Sequence, residues 1–366
     1  MDGMGTPLAL QVTLAHARDL ADLEEAWRGL EAQAAPPFFR SWTWVGCLAG
    51  ERFRDPVLVR AERGGRLVGL ALFNRSGRPW HRRLCLSESG EPQLDAPFIE
   101  HNGPLLAPGE GAETMAAMLR CALRMRGIAA LRLSGVEGAV IEAARAAGAV
   151  VPRRQDRSAP LVRLDALRLA GGDYLGALSA NTRSQLRRSN RRYAAEGEVT
   201  LDRADTVPGA LAWLDALVDL HGAAWRARGQ PGAFADPFML RFHRALVARG
   251  VPRGEVDLLR ASAGGRPIGY LYNFRLGGHV CAYQSGFDYA VPDPHAKPGL
   301  TCHHLAIERA LRLGDHCYDF LGGDDRYKRS LATDASTLVW AEAARSRSVL
   351  AVAARLRQAV LWTAAP

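Results

Sequence analysis

Hydrophobic and polar positions along the chain repeat themselves two hundred residues apart. Residues 58–69, LVRAERGGRLVG, align with 258–269, LLRASAGGRPIG, with a Leu, an Arg, an Ala, a Gly-Gly-Arg and a further Gly identical at matching places. Each block reads as an apolar strand, a Gly-Gly pair that tolerates positive φ, and a second apolar strand, which is the pattern of a β-hairpin. The second block continues through Leu276-Gly277-Gly278-His279 into HVCAYQSGF, predicting a three-stranded antiparallel meander. A loop, VPDPHAKPG, then leads into LTCHHLAIERALRLG, where Leu300, His304, Ile307 and Leu311 recur at helical spacing, and the strand CYDFL follows. The first half closes in the same way, with HNGPLLAPG, a helical AETMAAMLRCALRMRG and the strand IAALRLSG. Each half therefore predicts an α+β unit of meander, loop, helix and strand.

A chain of 366 residues exceeds the usual size of one domain, which agrees with this duplication. The expected division is an N-terminal domain over 1–160, a C-terminal domain over 161–345 and an amphipathic C-terminal helix over 346–366. In that last segment Val349, Val352, Leu356 and Val360 share one face, and a helix docked on the protein is expected, with a membrane-surface role as the alternative. A basic helix, NTRSQLRRSNRRYAAEG, and a Trp-containing helix, ALAWLDALVDLHGAAW, precede the second meander.

Composition narrows the classes. Forty-eight per cent hydrophobic and 23 per cent charged residues, with no long low-complexity tract, describe a globular chain. Forty-seven basic against 38 acidic residues invite a polyanionic partner, but Lys297 and Lys328 are the only lysines, so a general arginine bias accounts for much of the excess. Six cysteines without a CxxC pair suggest reduced thiols. No run approaches the roughly 20 apolar residues a membrane span needs, and the N-terminus lacks a signal-peptide pattern, so a cytoplasmic location is expected.

Four segments hold candidate chemistry. Lys297-Pro298-Gly299-Leu300-Thr301 is a glycine-bearing loop feeding a helix, a place where unpaired backbone N–H groups can cradle phosphate. Tyr318 to Lys328, YDFLGGDDRYK, runs a strand into two glycines, carboxylates, a phenol and an ammonium, groups able to move protons around a reacting centre. Arg183, Arg187, Arg188, Arg191 and Arg192 stud one helix and could bind phosphates, although the single aromatic Tyr193 argues against a single-stranded nucleic acid platform. Cys302, His303, His304, His316 and Cys317 lack the spacing of a tetrahedral metal site, since adjacent histidines point about 100° apart on a helix, so core roles and no metal are expected. No GxSxG, Walker or dinucleotide motif is present.

The second half resembles the CelD/BcsL family of GNAT-like acetyltransferases, linked to cellulose biosynthesis, and more distantly the FemAB-type tandem GNAT proteins. The resemblance is carried by LSANTRSQLRRSNRRY (178–193), GGRPIGYLYNF (264–274), YQSGFDYAVPDPHAKPGL (283–300) and YDFLGGDDRYKRSLA (318–332). Asp319, Gly323, Asp324, Tyr327 and Lys328 match the family's usual ending, while Gly322 stands where Arg is frequent and Asp325 where Glu is common. It implies a tandem GNAT fold, two mixed sheets flanked by helices, with the thioester arm of an acyl-CoA, acetyl-CoA above all, held where two central strands splay. The usual pyrophosphate loop, Gln/Arg-x-x-Gly-x-Gly/Ala, is replaced here by Lys297-Pro298-Gly299-Leu300. The implied reaction is attack of an amine or hydroxyl on the thioester, with Asp319 or Asp324 as base or amine-orienting group, Tyr327 as acid to the thiolate, and Lys328 on phosphate or an acidic substrate group. Tyr283, Gln284 and Asp288 would line the acceptor pocket. The first half lacks a Tyr-Lys counterpart after ALRLSGV and is expected to be catalytically degenerate. Two alternatives stand: an aminoacyl-tRNA-dependent FemAB-type transferase whose Arg183–Arg192 helix grips tRNA, and a non-catalytic subunit of a polysaccharide-synthesis system.

Overall fold

A computed structural model describes residues 8–17, 20–79, 81–290 and 293–346. The strands are β1 (Leu10–His16), β2 (Pro56–Arg63), β3 (Arg66–Ser76), β4 (Arg82–Leu86), β5 (Leu105–Leu106), β6 (Ile128–Glu137), β7 (Ala149–Arg163), β8 (Val199–Arg203), β9 (Val256–Ala263), β10 (Arg266–Leu276), β11 (His279–Phe287), β12 (Cys317–Asp319) and β13 (Asp334–Arg345). The helices that bear on the argument are α1 (Leu20–Ala34), α2 (Ala112–Arg124), α3 (Ala180–Ala194), α4 (Val207–Arg226), α5 (Pro237–Gly250), α6 (Pro298–Arg312) and α7 (Arg326–Leu331).

The chain divides into two compact units, one of residues 1–156 and 338–366, the other of residues 157–337. Residues 338–345, grouped in the sequence with the second half, thus belong to the first unit, where β13 pairs antiparallel with β6 from Leu338 opposite Glu137 to Ala344 opposite Ala130. The amphipathic segment expected over 346–366 lies outside the described residues from 347 onward.

In the first unit the strand order is β1-β2-β3-β4-β6-β13; in the second, β12-β11-β10-β9-β8, with the last residues of β7 beside β12. Both sheets are mixed: β4 runs parallel to β6, β11 runs parallel to β12, and the hairpins are antiparallel.

The duplication extends to backbone register. Gly64-Gly65 and Gly264-Gly265 both turn with two positive φ values, +59° and +76° in one, +54° and +79° in the other, the two-residue hairpin geometry that matches strand twist. One residue after each turn is extra to the pairing. Glu62 faces Leu67 and Ala61 faces Gly69, leaving Val68 over; Ser262 faces Pro267 and Ala261 faces Gly269, leaving Ile268 over. The glycine after each bulge admits a helix close to the sheet, since a Cβ at Gly69 would lie 2.8 Å from the Met118 sulfur on α2, and one at Gly269 2.9 Å from the Cys302 sulfur on α6.

The second unit's core forms between its sheet and helices α3 and α6. Helix α3 starts at Ser179, whose hydroxyl accepts the Thr182 N–H at 3.2 Å, and buries Thr182, Leu186, Ser189 and Tyr193 at helical spacing. Leu186 and Tyr193 join Leu259 and Leu271 of the sheet and Ile307 and Leu311 of α6 in one core. Each fully buried leucine contributes about 1.5–3 kcal/mol relative to exposure. The sequence stripe on α6 is displaced by part of a turn: Cys302, His303, Ala306 and Ala310 are buried with Ile307 and Leu311, while Leu300 and His304 are only partly so.

Candidate active site

In the second unit β11 and β12 pair over three positions, ending at Cys281 opposite Asp319. Strand β11 runs on to Phe287, so Ala282 to Phe287 have no β12 partner among the described residues; within that stretch the Ser285 carbonyl lies 3.1 Å from His221 Nδ1 of α4. The parting is enforced by a turn at Leu321, a buried non-glycine residue at φ +62°. A left-handed residue of this kind costs about 1–2 kcal/mol, so something must hold it. Asp319 Oδ1 accepts the Leu321 N–H at 2.6 Å, and the Lys328 ammonium donates to the carbonyls of Gly322 at 3.0 Å and Leu321 at 3.4 Å. Asp319 is 1% exposed, and its other oxygen lies 3.2 Å from His279 Nε2. Two residues expected to do chemistry, Asp319 and Lys328, therefore bond the turn that follows β12. Asp324 stands out in solvent, 2.5 Å from Arg329.

Tyr327 sits differently. From α7 its ring lies nearly parallel to the His303 imidazole, 24° between planes at 6.0 Å, and edge-on to Phe320 at 6.5 Å. The residue is 43% exposed. Loss of water around the hydroxyl, then the charges of Asp325 and Tyr289, push its pKa up, so the phenol keeps its proton through the neutral range. Phe287 at the end of β11 touches His303 at 5.9 Å and Tyr289 at 6.2 Å, so aromatic rings border the gap between the strands.

Helix α6 begins beside this gap, immediately after the β11 loop. Lys297 is its N-cap and Pro298 its first residue, so the N–H groups of Gly299 and Leu300 lie in the first turn, where helices leave donors unpaired. A Cβ on Gly299 would approach the Phe287 ring to 3.2 Å, so the first turn lies against that ring. The remainder of the expected cradle is used internally. Thr301 is fully buried, its hydroxyl 2.8 Å from Ser189 Oγ and donating to Asn190 Oδ1 at 3.0 Å, while Ser189 Oγ accepts the Lys297 N–H at 3.1 Å. Thr301 thus docks α6 on α3, and Pro298 is buried with it, leaving Lys297, Gly299 and Leu300 as the residues a ligand could reach.

The residues expected to line an acceptor pocket are dispersed. Tyr283 is 5% exposed, packed on Phe274, His243 and Tyr272 at 4.7, 5.0 and 5.9 Å, because a bulge opposite Tyr272 and Asn273 gives β11 an extra residue there. Asp288 accepts from Arg266 at 2.6 Å and from the Ala290 N–H at 2.9 Å, shaping the loop. Gln284, opposite Tyr272, is half-buried. Arg183 turns back to the carbonyls of Gly176, Leu178 and Leu175 at 3.3–3.5 Å, while Arg187, with Arg188 and Arg191, remains exposed on the outer face of α3.

Sequence reasoning set His303 and His304 together as core residues. His304 is bonded through Nδ1 to Asn190 at 3.2 Å, whereas His303 reaches the gap and contacts four rings. The signal for His303 was its place one turn after Gly299. His316 is bonded to the Gly277 carbonyl.

The model of the acetyltransferase (GNAT) domain family matches residues 180–329, within the second unit and spanning the parted strands, α6 and most of α7. That unit carries a GNAT acetyltransferase domain, which makes the protein an acyltransferase by class. Among solved structures, FemX superposes with a TM-score of 0.61 at 12% identity, covering 89% of this chain and 96% of FemX. The C-terminal domain of a putative lysylphosphatidylglycerol synthetase from Agrobacterium fabrum gives 0.56 at 12% identity, covering 93% and 95%. These likenesses show the fold, a GNAT-type mixed sheet with flanking helices. No curated protein matches the chain in sequence. Among the described residues no helix is long and apolar enough to cross a membrane.

Proposed function

We propose that the second unit moves an acyl group, acetyl in the simplest case, from acyl-CoA to an amine or hydroxyl acceptor by direct attack on the thioester. The observation that carries this reading is the parting of β11 from β12 with a protonated phenol at its edge and a helix N-terminus beside it. The donor's carbonyl would lie along the stretch of β11 beyond its β12 partners, where a backbone N–H polarises it, and its phosphates would meet the first turn of α6 with Lys297. Attack forms the new C–N or C–O bond and breaks the C–S bond. Tyr327 gives its proton to the leaving thiolate, and the acceptor's proton passes to Asp324, a solvent-exposed carboxylate of this segment. Asp319 and Lys328 act by holding the turn that follows β12. The resemblance to CelD/BcsL proteins suggests a saccharide acceptor.

The exposed Arg187, Arg188 and Arg191 on α3 favour a second reading, in which the donor is an aminoacyl-tRNA. The two separate cleanly in one experiment: incubation with acetyl-CoA and a panel of amines and alcohols, following free thiol, beside tRNA binding measured over a range of salt. Acyl-CoA transfer supports the first reading, and tRNA affinity that falls steeply with salt, without thiol release, supports the second.

A further inference from the structure

We propose that His303 is a positioning residue that holds the Tyr327 phenol in place for proton transfer at the parting of β11 and β12, an assignment that builds on the acyl-transfer reading. Helix α6 presents residue 303 to the sheet, where the imidazole, 3% exposed, touches Phe287 from β11, Tyr318 from β12, Phe320 just beyond it and Tyr327 from α7. Three of these rings stand edge-on, at 67–81°. Tyr327 alone lies nearly flat on it, so the imidazole is the floor that sets the plane of the phenol.

The floor is itself tied to the sheet. Tyr318 Oη lies 2.9 Å from His303 Nδ1. Burial keeps the Tyr318 hydroxyl protonated, and a neutral phenol can donate to Nδ1 or accept from it, so the bond ties the imidazole to β12 in either neutral tautomer. Nε2 has no hydrogen-bond partner among the described residues. A buried polar nitrogen left unsatisfied carries a cost that a phenylalanine filling the same space would avoid. What the imidazole adds is the bond to Tyr318, which fixes the ring's plane from β12, the strand whose end defines the site.

The titratable groups around His303 are Tyr318 on β12, Tyr327 and Lys328 on α7, and its own neighbour Cys302, whose thiol burial pushes up. Burial, helped by Lys328, pushes the imidazole's pKa down to about 3. The surface under Tyr327 therefore stays uncharged through the neutral range, and the imidazole acts on the phenol by contact rather than by charge.

The test uses the full chain with ring-labelled tyrosine, the Tyr327 signal being assigned by its loss in Tyr327→Phe. His303→Ala is expected to move that signal and lower the midpoint of its titration, and His303→Phe, which restores a ring floor, is expected to bring both most of the way back. Unchanged Tyr327 signals and titration in a folded His303→Ala would overturn the proposal; if that variant does not fold, His303→Asn is read in the same way. With acetyl-CoA as probe, His303→Ala should lower turnover by about tenfold or more with Kd for acetyl-CoA within about twofold, and a fall in Kd affinity matching the loss of turnover would also overturn it. The resonance experiment needs no donor, so failure to bind acetyl-CoA would remove the donor reading and leave the His303–Tyr327 result to be judged separately.

Discussion

Tyr283 and Tyr327 carry the same phenol into opposite surroundings, and the contrast decides which of them can react. Tyr283 is sealed among Phe274, His243 and Tyr272, where it serves the core; Tyr327 has one face on an imidazole and the other side open. Tyr327→Phe should therefore reduce acetyl transfer by more than about tenfold, a barrier change of about 1.4 kcal/mol or more, with acetyl-CoA affinity unchanged by titration. Lys328→Met should act otherwise. Without the ammonium bridge to the carbonyls of Leu321 and Gly322, the left-handed turn loses a support, so hydrogen exchange at residues 320–323 should quicken and the melting temperature fall. A Lys328→Met protein with unaltered exchange there would show that Asp319 alone holds the turn. The sequence places Asp319, Tyr327 and Lys328 in one segment, but their separate tasks depend on which atoms each side chain meets, and residue spacing carries no record of that.

At the level of elements, legibility follows how tightly a backbone requirement constrains residue choice. Two successive positive φ values need residues such as Gly-Gly, so all three two-residue hairpins were readable, including Gly277-Gly278 at +57° and +76°. The bulges at Val68 and Ile268 require nothing of their side chains and were not. Helix α6 was readable, but a rotation of part of a turn exchanges His303 for His304 at the sheet, and the apolar stripe alone did not resolve it. The docking of α3 on α6 through Ser189, Asn190, Lys297 and Thr301 was hidden because its polar residues are more than a hundred positions apart. That network gives an element-scale prediction: Thr301→Val, which keeps the shape, takes the Thr301 donor from Asn190 Oδ1 and leaves Ser189 Oγ bonded to Lys297, should cost about 1–3 kcal/mol in chemical denaturation. Acetyl-CoA affinity should survive it. A selective loss of affinity without loss of stability would return Thr301 to the ligand site.

For the whole molecule, buried imidazoles set the response to acid. Burial pushes His243 and His303 down to about 3 and His304 to about 4, against an ordinary value of 6.5. Each folded-state pKa lies below the unfolded one, so the folded protein binds fewer protons in between; the stability is complete above about 6.5 and is lost as pH falls toward 4. Glu88, raised by burial and by Asp95, has the opposite sign and offsets part of this. The slope should approach about 1.4 kcal/mol per pH unit for each imidazole not so offset. Melting temperatures measured from pH 7.5 to 4.5 should decline monotonically, and a flat profile would contradict the burial of these rings.

The two units share a hairpin register, a bulge and a strand glycine under a helix, yet among the described residues only the second has a turn like that at Leu321, held by Asp319 and Lys328 and followed by Tyr327. The proposed donor, acyl-CoA, would be held by the second unit at the first turn of α6. Calorimetric titration of the purified chain with acetyl-CoA and a longer acyl-CoA tests it most directly, repeated on Gly299→Glu, which puts a negative charge among the proposed phosphate-binding N–H groups, with a melting curve to verify that the variant is folded. Binding by the wild type that the folded variant loses is the predicted result. No binding by the wild type, or equal binding by a folded Gly299→Glu, would contradict it.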